Sequence, residues 1–248
     1  MGNDTNPALD NLWFTLLFVR REILDVDSRE FERCFEIFAS ATLGNRLSPE
    51  VKRYLAALVT DSGRYRSTKG RARIEGILTA KGRPAGDGPW GWKEPNTHIV
   101  LPRLLKLWPD LKYIHVMRNG LDMAYSRNQR QARFWGRAES APGAKIGPEE
   151  SLRFWCRAHA HIVELAAEFP GSIEIVRLED VCDSPETSIG RMAMHAGLSV
   201  SSGDIGRLAR LVERPESIGR FRDHDLSGFA AADLKFVRQM GFDTGESS

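Results

Sequence analysis

Apolar residues recur at intervals of three and four positions through the first quarter of the chain, which is the spacing of amphipathic helices. The second helix is predicted to start at Asp27, because Glu30 three positions later completes a capping box. The third starts at Ser48, a preferred N-cap residue, with Pro49 at the first helical position. The predicted helices cover residues 7–23, 27–44 and 48–63.

Beyond residue 88, short runs with the composition of strands alternate with longer helical patterns. The runs predict strands over residues 90–93, 113–117 and 172–178. The longer patterns predict helices over residues 97–108, from 121 onward, and over 148–169, 184–197 and 227–240. Because the strand–helix–strand order over 90–117 favours a right-handed crossover, we expect an α/β fold with a parallel sheet flanked by helices.

Two basic stretches rich in glycine and proline, residues 64–88 and 127–148, separate these elements. We interpret most of the first as loop, with a short helix near residues 74–78. Its basic side chains are either solvated or line the approach of an anionic substrate. The second interleaves arginines with Phe134 and Trp135, a pattern able to stack on nucleic-acid bases. Because the stretch is short and the net charge only +2, a mobile loop over an active site is preferred, and no nucleic-acid partner is expected.

The composition is that of one globular domain. With 248 residues and 42% hydrophobic content, the chain can bury a core. We expect one domain over 1–248, with a helical part (1–63), a strand–helix core (88–200) and a C-terminal part (201–248) that carries a loop and a last helix. Three widely spaced cysteines without metal-ligand spacing favour a reducing, cytoplasmic location. The apolar run over 12–19 is too short to span a bilayer, so no membrane partner is expected.

The stretch from Leu111 to Asn128 carries the strongest sign of chemistry. A buried strand over 113–117 ends directly in Arg-Asn-Gly, and a helix is predicted from Leu121. The start of a helix offers unbonded N–H groups and a dipole that favours negative charge. Arg118 adds a planar guanidinium that matches phosphate oxygens. Ser126 on the helix reaches the same anion if the strand and the helix fold back on each other; otherwise Arg118 pairs with a surface carboxylate.

The pattern Arg-Asn-x-x-Asp-x-x-x-Ser after an apolar strand resembles the 3′-phosphate-binding segment of sulfotransferases. These enzymes use 3′-phosphoadenosine 5′-phosphosulfate (PAPS) as the donor of a sulfuryl group. The resemblance implies an architecture like that of the P-loop nucleotide kinases. It also implies that Arg118 and Ser126 hold the 3′-phosphate of the donor.

Two later segments extend the resemblance in the same order along the chain. The segment RLEDVCDSPETSIGRMAMHAGL, which begins at Arg177, is similar to a family segment in which a strand ends in Tyr-Glu-Asp-Leu and a helix begins at Pro-Glu. Leu178 stands where the family has a tyrosine near the adenine. PESIGRFR resembles the late Gly-x-Trp-(Lys/Arg) loop, which implies that Gly219 lets the backbone approach the 3′-phosphate while Arg220 and Arg222 neutralise it.

Sulfuryl transfer needs a cation near the bridging oxygen and a base that takes the acceptor proton. The resemblance points to Lys93 as the cation, with the family's Leu-Pro pair following at 101–102. Cytosolic members have a histidine two places after the lysine, where this chain has Pro95, so the base is either His98 or Glu94. The sequence indicates no metal. The expected acceptor is a small molecule, glycan or peptide with a hydroxyl or amine group, and no oligomeric state is implied.

One family feature has no counterpart in the sequence. The N-terminal strand and Gly-rich Ser-Gly-Thr loop that cradle the 5′-phosphosulfate are not found. Either the chain is short of its true N-terminus, or it is a diverged relative that lacks half of the donor site. In both cases we expect the polypeptide alone to be poorly stable or inactive. The alternatives to a sulfotransferase are a non-catalytic nucleotide-binding relative and a kinase-like phosphotransferase.

Overall fold

The structure is a computed structural model that describes residues 11–43, 47–61, 89–136 and 146–245. The predicted loop over 64–88 lies outside the described residues, as does the short helix predicted near 74–78. The strands are β1, Tyr113–Met117, and β2, Ile173–Arg177. The helices are α1 Leu12–Phe18, α2 Ser28–Thr42, α3 Pro49–Asp61, α4 Thr97–Leu107, α5 Gly120–Ala124, α6 Arg130–Trp135, α7 Pro148–Glu168, α8 Leu178–Asp183, α9 Pro185–His195, α10 Ser202–Ala209 and α11 Ala231–Gln239, with 3-10 helices at Arg21–Leu24 and Arg220–Asp223.

The chain divides within α4 into two compact units, one up to Arg103 and one from Leu104 onward. The first unit is held by an aromatic core. The ring of Phe38 meets Phe14 at a centroid distance of 5.4 Å and Trp92 at 5.0 Å. The helix starts in this unit follow the sequence prediction, since Asp27 accepts the Glu30 N–H and Ser48 accepts the Val51 N–H.

Two sequence predictions for the first unit are wrong. The first helix ends at Phe18 instead of continuing to Ile23. The segment 90–93 forms no strand. It is held by the packing of Trp90 and Trp92 against Phe38 and by an N–H···O bond from Asn11 to the Lys93 carbonyl, so aromatic contacts replace a strand ladder. The predicted strand–helix–strand unit over 90–117 is therefore absent.

The second unit contains the parallel sheet. β1 and β2 pair in parallel, from Tyr113 opposite Ile173 to Met117 opposite Arg177, and α7 is the long helix of the connection between them. Leu152 and Trp155 on α7 are buried in the same apolar cluster as Met117. The α/β class with helices flanking a parallel sheet is confirmed, although the strands that pair are not those of the predicted crossover unit.

Several element boundaries in the second unit also differ from prediction. α5 ends at Ala124, so Ser126 lies beyond the helix. Helix α6 occupies part of the predicted mobile loop, and α10 was not predicted. The last helix starts at Ala231, because Ser227 instead bonds the Asp225 carboxylate through both its N–H and its hydroxyl. Among the described helices, none combines the length and apolar character needed to cross a membrane.

Candidate functional site

The candidate site lies where β1 ends in the second unit, which is where open α/β sheets place their ligands. The turn after β1 is fixed by Asn119. Its side-chain oxygen accepts the Leu121 N–H at 2.9 Å and so caps α5, and its side-chain amide donates to the Asp243 carbonyl at 2.9 Å. Its backbone N–H donates to the Glu179 carboxylate at 3.1 Å. The turn that carries Arg118 is therefore anchored from three sides.

Gly120 lets α5 approach α7 closely. A Cβ atom built on it would lie 2.8 Å from both the Leu152 side chain and the Trp155 ring, which is closer than such atoms normally come. Trp155 also donates its indole N–H to the Arg118 carbonyl at 3.1 Å. The Arg-Asn-Gly turn is thus seated on the face of α7, and the glycine is required there for packing.

Arg118 reaches from this turn to the late loop of the chain. Its Nη2 donates to the Ser217 hydroxyl, which lies in the PESIGRFR segment. Its Nε is buried and has no hydrogen-bond partner among the residues that the structure describes. The structure therefore brings the first and last of the sequence motifs together, as the phosphate-site hypothesis requires.

Asp122 makes the second link between these segments. The residue is 1% exposed, and its carboxylate accepts the Gly219 N–H at 2.8 Å and the Phe221 N–H at 3.2 Å. Gly219 has a φ of 85°, in the left-handed region that glycine adopts without strain. The ring of Phe221 is buried in the apolar core. Asp122 therefore holds the loop in place, and it occupies the N–H of Gly219, the residue at which the resemblance implies a close approach of the backbone to the 3′-phosphate.

Arg220 bonds the backbone of Tyr125, the residue that precedes Ser126. The Arg220 guanidinium donates to the Tyr125 carbonyl at 3.5 Å and to the Ser217 carbonyl at 3.3 Å. Ser126 is partly exposed, and its hydroxyl accepts the Asn128 N–H at 3.2 Å. The cationic group of Arg220 thus lies beside the residue that precedes Ser126.

Arg222 differs from the other two arginines of the site. It is exposed and forms an ion pair of 2.7 Å with Asp243. The Gly245 N–H and the Arg222 guanidinium hold the pKa of the Asp243 carboxyl below its ordinary value. Asp243 therefore stays ionised as the pH falls below the usual range of a carboxyl, and it continues to compete for Arg222.

The first unit contains the three predicted catalytic residues within six positions. Lys93 is exposed. Glu94 is buried, and its carboxylate accepts hydrogen bonds from the Thr15 hydroxyl at 2.6 Å and from the Asn96 N–H and side-chain amide at 3.1 and 2.5 Å. These three donors give the carboxylate a clear structural role.

His98 has a defined tautomer in the neutral state. Its Nδ1 lies 3.0 Å from the Pro95 carbonyl oxygen, which can only accept a hydrogen bond. The proton of the neutral imidazole is therefore on Nδ1 and the lone pair is on Nε2. His98 is buried, so a role as general base requires the acceptor to reach Nε2.

Sequence reasoning gave no role to Asp122 or Ser217. Asp122 stood in the matched pattern and is flanked on the helix by apolar Leu121 and Ala124, so its burial could have been suspected. A buried carboxylate needs hydrogen-bond donors, but the sequence does not show that they come from a loop 97 positions away. Ser217 carries no comparable signal.

The fold is α/β, and the candidate site lies at the end of its parallel sheet. A model of the sulfotransferase family matches residues 15–202. Since this is more than half of the chain, the protein belongs to the sulfotransferase family, and the predicted family is confirmed.

Comparison with solved and curated proteins adds little detail. The structure titled "Sulfotransferase Domain from the Curacin Biosynthetic Pathway" is similar to this chain, with a TM-score of 0.46 and 11% sequence identity over 93% of this chain and 77% of that chain. No curated protein matches the chain.

Proposed function

We propose that this protein transfers a sulfuryl group from PAPS to a hydroxyl or amine acceptor. Membership of the sulfotransferase family supports sulfuryl transfer as the reaction class. The choice of donor rests on the site in the second unit. In the proposal, Arg118, Arg220 and Ser126 bind the 3′-phosphate of the donor, with Arg222 as a more distant charge.

The observation that carries the proposal is the double link between the two motif segments. Arg118 bonds Ser217, and Asp122 bonds the amides of Gly219 and Phe221. Two segments about a hundred positions apart are thereby joined at the carboxyl end of β1, and each contributes a guanidinium group. Guanidinium groups bind phosphate oxygens with short, charge-assisted hydrogen bonds.

The proposed reaction is an in-line displacement at sulfur. The acceptor oxygen or nitrogen forms a bond to sulfur while the bond from sulfur to the 5′-phosphate oxygen breaks, and adenosine 3′,5′-bisphosphate leaves. Lys93 stabilises the negative charge that develops on the leaving oxygen. His98 takes the acceptor proton on Nε2. Glu94 is the less suitable base, because its carboxylate already accepts three hydrogen bonds.

Calorimetry with adenosine 3′,5′-bisphosphate tests the donor site. We expect the wild type to bind it and Arg118→Ala to bind it roughly 10- to 100-fold more weakly, because hydrogen bonds between charged groups are lost. Arg207→Ala is the matched control, since Arg207 is an exposed arginine paired with Asp204. A wild type that binds ATP and not the bisphosphate would contradict the proposal and favour a phosphotransferase.

Turnover separates an enzyme from a non-catalytic binder. PAPS is incubated with phenolic, sugar and amine acceptors, and release of the bisphosphate is followed with time. Because the sequence shows no 5′-phosphosulfate loop, we expect release that is slow but above the rate of PAPS alone with at least one acceptor class, and a large loss of it in Lys93→Ala. Tight bisphosphate binding without release under any condition would identify a binding relative.

A further inference from the structure

Glu179 lies beside Arg118 at the end of the parallel sheet. Met117 is opposite Arg177 in the sheet register, so the chain leaves β1 and β2 at the same edge. Arg118 follows β1 directly, and Glu179 follows β2 after one intervening residue. The Asn119 N–H joins the two segments by donating to Glu179 Oε1 at 3.1 Å. A carboxylate and a guanidinium are thus held at one edge of the sheet.

Each of these two groups has a polar atom that lacks a partner. Glu179 Oε2 and Arg118 Nε are both buried without a hydrogen bond to any residue that the structure describes. Buried polar atoms are normally satisfied, so an acceptor and a donor that lack partners on segments joined by the Asn119 N–H require an explanation. The nearby guanidinium of Arg177 does not provide it, because it bonds both oxygens of Asp180 and the Gly241 carbonyl.

We propose that Glu179 binds the ribose 2′-hydroxyl of the donor and selects a ribonucleotide, an inference that rests on the proposed donor site. The 2′-hydroxyl and the 3′-phosphate stand on adjacent ribose carbons. A site that holds the phosphate with Arg118 therefore places the hydroxyl within reach of a neighbouring side chain. The Glu179 oxygen accepts the hydroxyl proton, and Arg118 Nε donates to an oxygen of the ligand. Carboxylates after a strand perform the same task in dinucleotide-binding folds.

The negative charge of Glu179 is compatible with a phosphate nearby. Its first oxygen is fixed by the Asn119 amide, and the second receives a hydrogen from the ligand, so it meets the hydroxyl instead of a phosphate oxygen. The guanidinium group of Arg177 interacts electrostatically with Glu179 and offsets part of the charge of the carboxylate. A ligand without the 2′-hydroxyl would leave the second oxygen buried and unsatisfied, which is the basis of discrimination.

The test is a calorimetric comparison of adenosine 3′,5′-bisphosphate with its 2′-deoxy analogue. We expect the wild type to bind the ribonucleotide about tenfold more tightly. Glu179→Ala removes both carboxylate oxygens, whereas a glutamine amide could still donate to the 2′-oxygen. The alanine variant should bind both ligands with the same, weaker affinity. Asp180→Asn is the control, because the Asp180 carboxylate is occupied by Arg177, and it should keep the preference.

Two results would overturn the inference while the donor site stands: equal wild-type affinity for the two ligands, or an unchanged preference in Glu179→Ala. If the wild type binds neither ligand, the donor site itself fails and the inference falls with it. If the variant does not fold, the wild-type affinities for the bisphosphate and its 2′-deoxy analogue still decide the question. Thermal melting of the variants shows whether that is the case.

Discussion

The two regions that carry the candidate site residues are held together in different ways. Between segments 118–126 and 215–222, hydrogen bonds join residues 99 and 97 positions apart, from Arg118 to Ser217 and from Gly219 to Asp122. In segment 93–98 several bonds between described residues are local. Glu94 accepts from Asn96, and His98 bonds Pro95, with Thr15 as the distant partner of Glu94.

This difference indicates what each region can do. Long-range bonds bring charged side chains from separate parts of the chain to one place, and leave the Nε of Arg118 without a partner in the described structure. Local bonds in the other region occupy the Glu94 carboxylate and fix the tautomer of His98. We therefore interpret segments 118–126 and 215–222 as a ligand site. Segment 93–98 is interpreted as a support that positions Lys93 and His98.

The largest expected effect distinguishes the role of His98 from that of Glu94 in segment 93–98. His98→Gln should lower the rate of bisphosphate release from PAPS by about 10²- to 10⁴-fold, because a general base is lost. Glu94→Gln should instead lower the melting temperature and leave the rate much closer to that of the wild type, since it disturbs bonds to Thr15 and Asn96. A slow Glu94→Gln beside an active His98→Gln would reverse the assignment.

The second-largest effect tests the hydrogen bonds to Asp122 that join segments 118–126 and 215–222. Asp122→Ala removes the acceptor of two buried amides, so the loop over 215–222 should loosen. Bisphosphate affinity measured by calorimetry should fall roughly 10- to 100-fold, with a smaller loss in Asp122→Asn, which keeps one acceptor oxygen. Asp223→Ala, at an exposed aspartate directly after this loop, is the control. Unchanged affinity in Asp122→Ala would show that the link does not shape the site.

A smaller effect concerns the packing beneath the Arg118 turn. In Gly120→Ala the new methyl group meets Leu152 and Trp155 at 2.8 Å, so overpacking should lower the free energy of unfolding by about 1–3 kcal/mol. Gly190→Ala is the matched control, because its methyl group would lie 3.7 Å from Ile205 and the helix gains propensity. Urea denaturation measures both, and equal stability of the two variants would contradict the packing argument.

The smallest expected effect distinguishes Arg222 from Arg220. Arg222 is exposed and paired with Asp243, and exposed pairs contribute about 0–1 kcal/mol. Arg222→Ala should weaken bisphosphate binding by less than about fivefold, whereas Arg220→Ala should weaken it by about tenfold or more. A greater loss in Arg222→Ala would mean that the ligand displaces Asp243.

The sequence predicted those parts of the molecule that depend on local patterns. The caps at Asp27 and Ser48 and the helix from Pro148 each follow from neighbouring residues, and the structure confirms them. Strand pairing depends on distant residues. The local composition of segment 90–93 predicts a strand, but it cannot show whether a partner strand lies beside it. In the structure its tryptophans pack on Phe38 instead.

The same limit applies to the site. Arg118 and Ser126 were found because a short motif contains both. Sequence spacing placed Ser126 on the helix, whereas α5 ends at Ala124. The role of Asp122 depends on amides that come from a loop far along the chain. Such partners follow from the fold and have no signature in the local sequence.

The central claim is that Arg118 binds the 3′-phosphate of a nucleotide. The most direct test compares adenosine 3′,5′-bisphosphate with adenosine 5′-monophosphate, by calorimetry, on the wild type and on Arg118→Ala. We predict that the wild type prefers the bisphosphate by roughly 10- to 100-fold and that the preference largely disappears in Arg118→Ala. A wild type without this preference, or a variant that keeps all of it, would contradict the account.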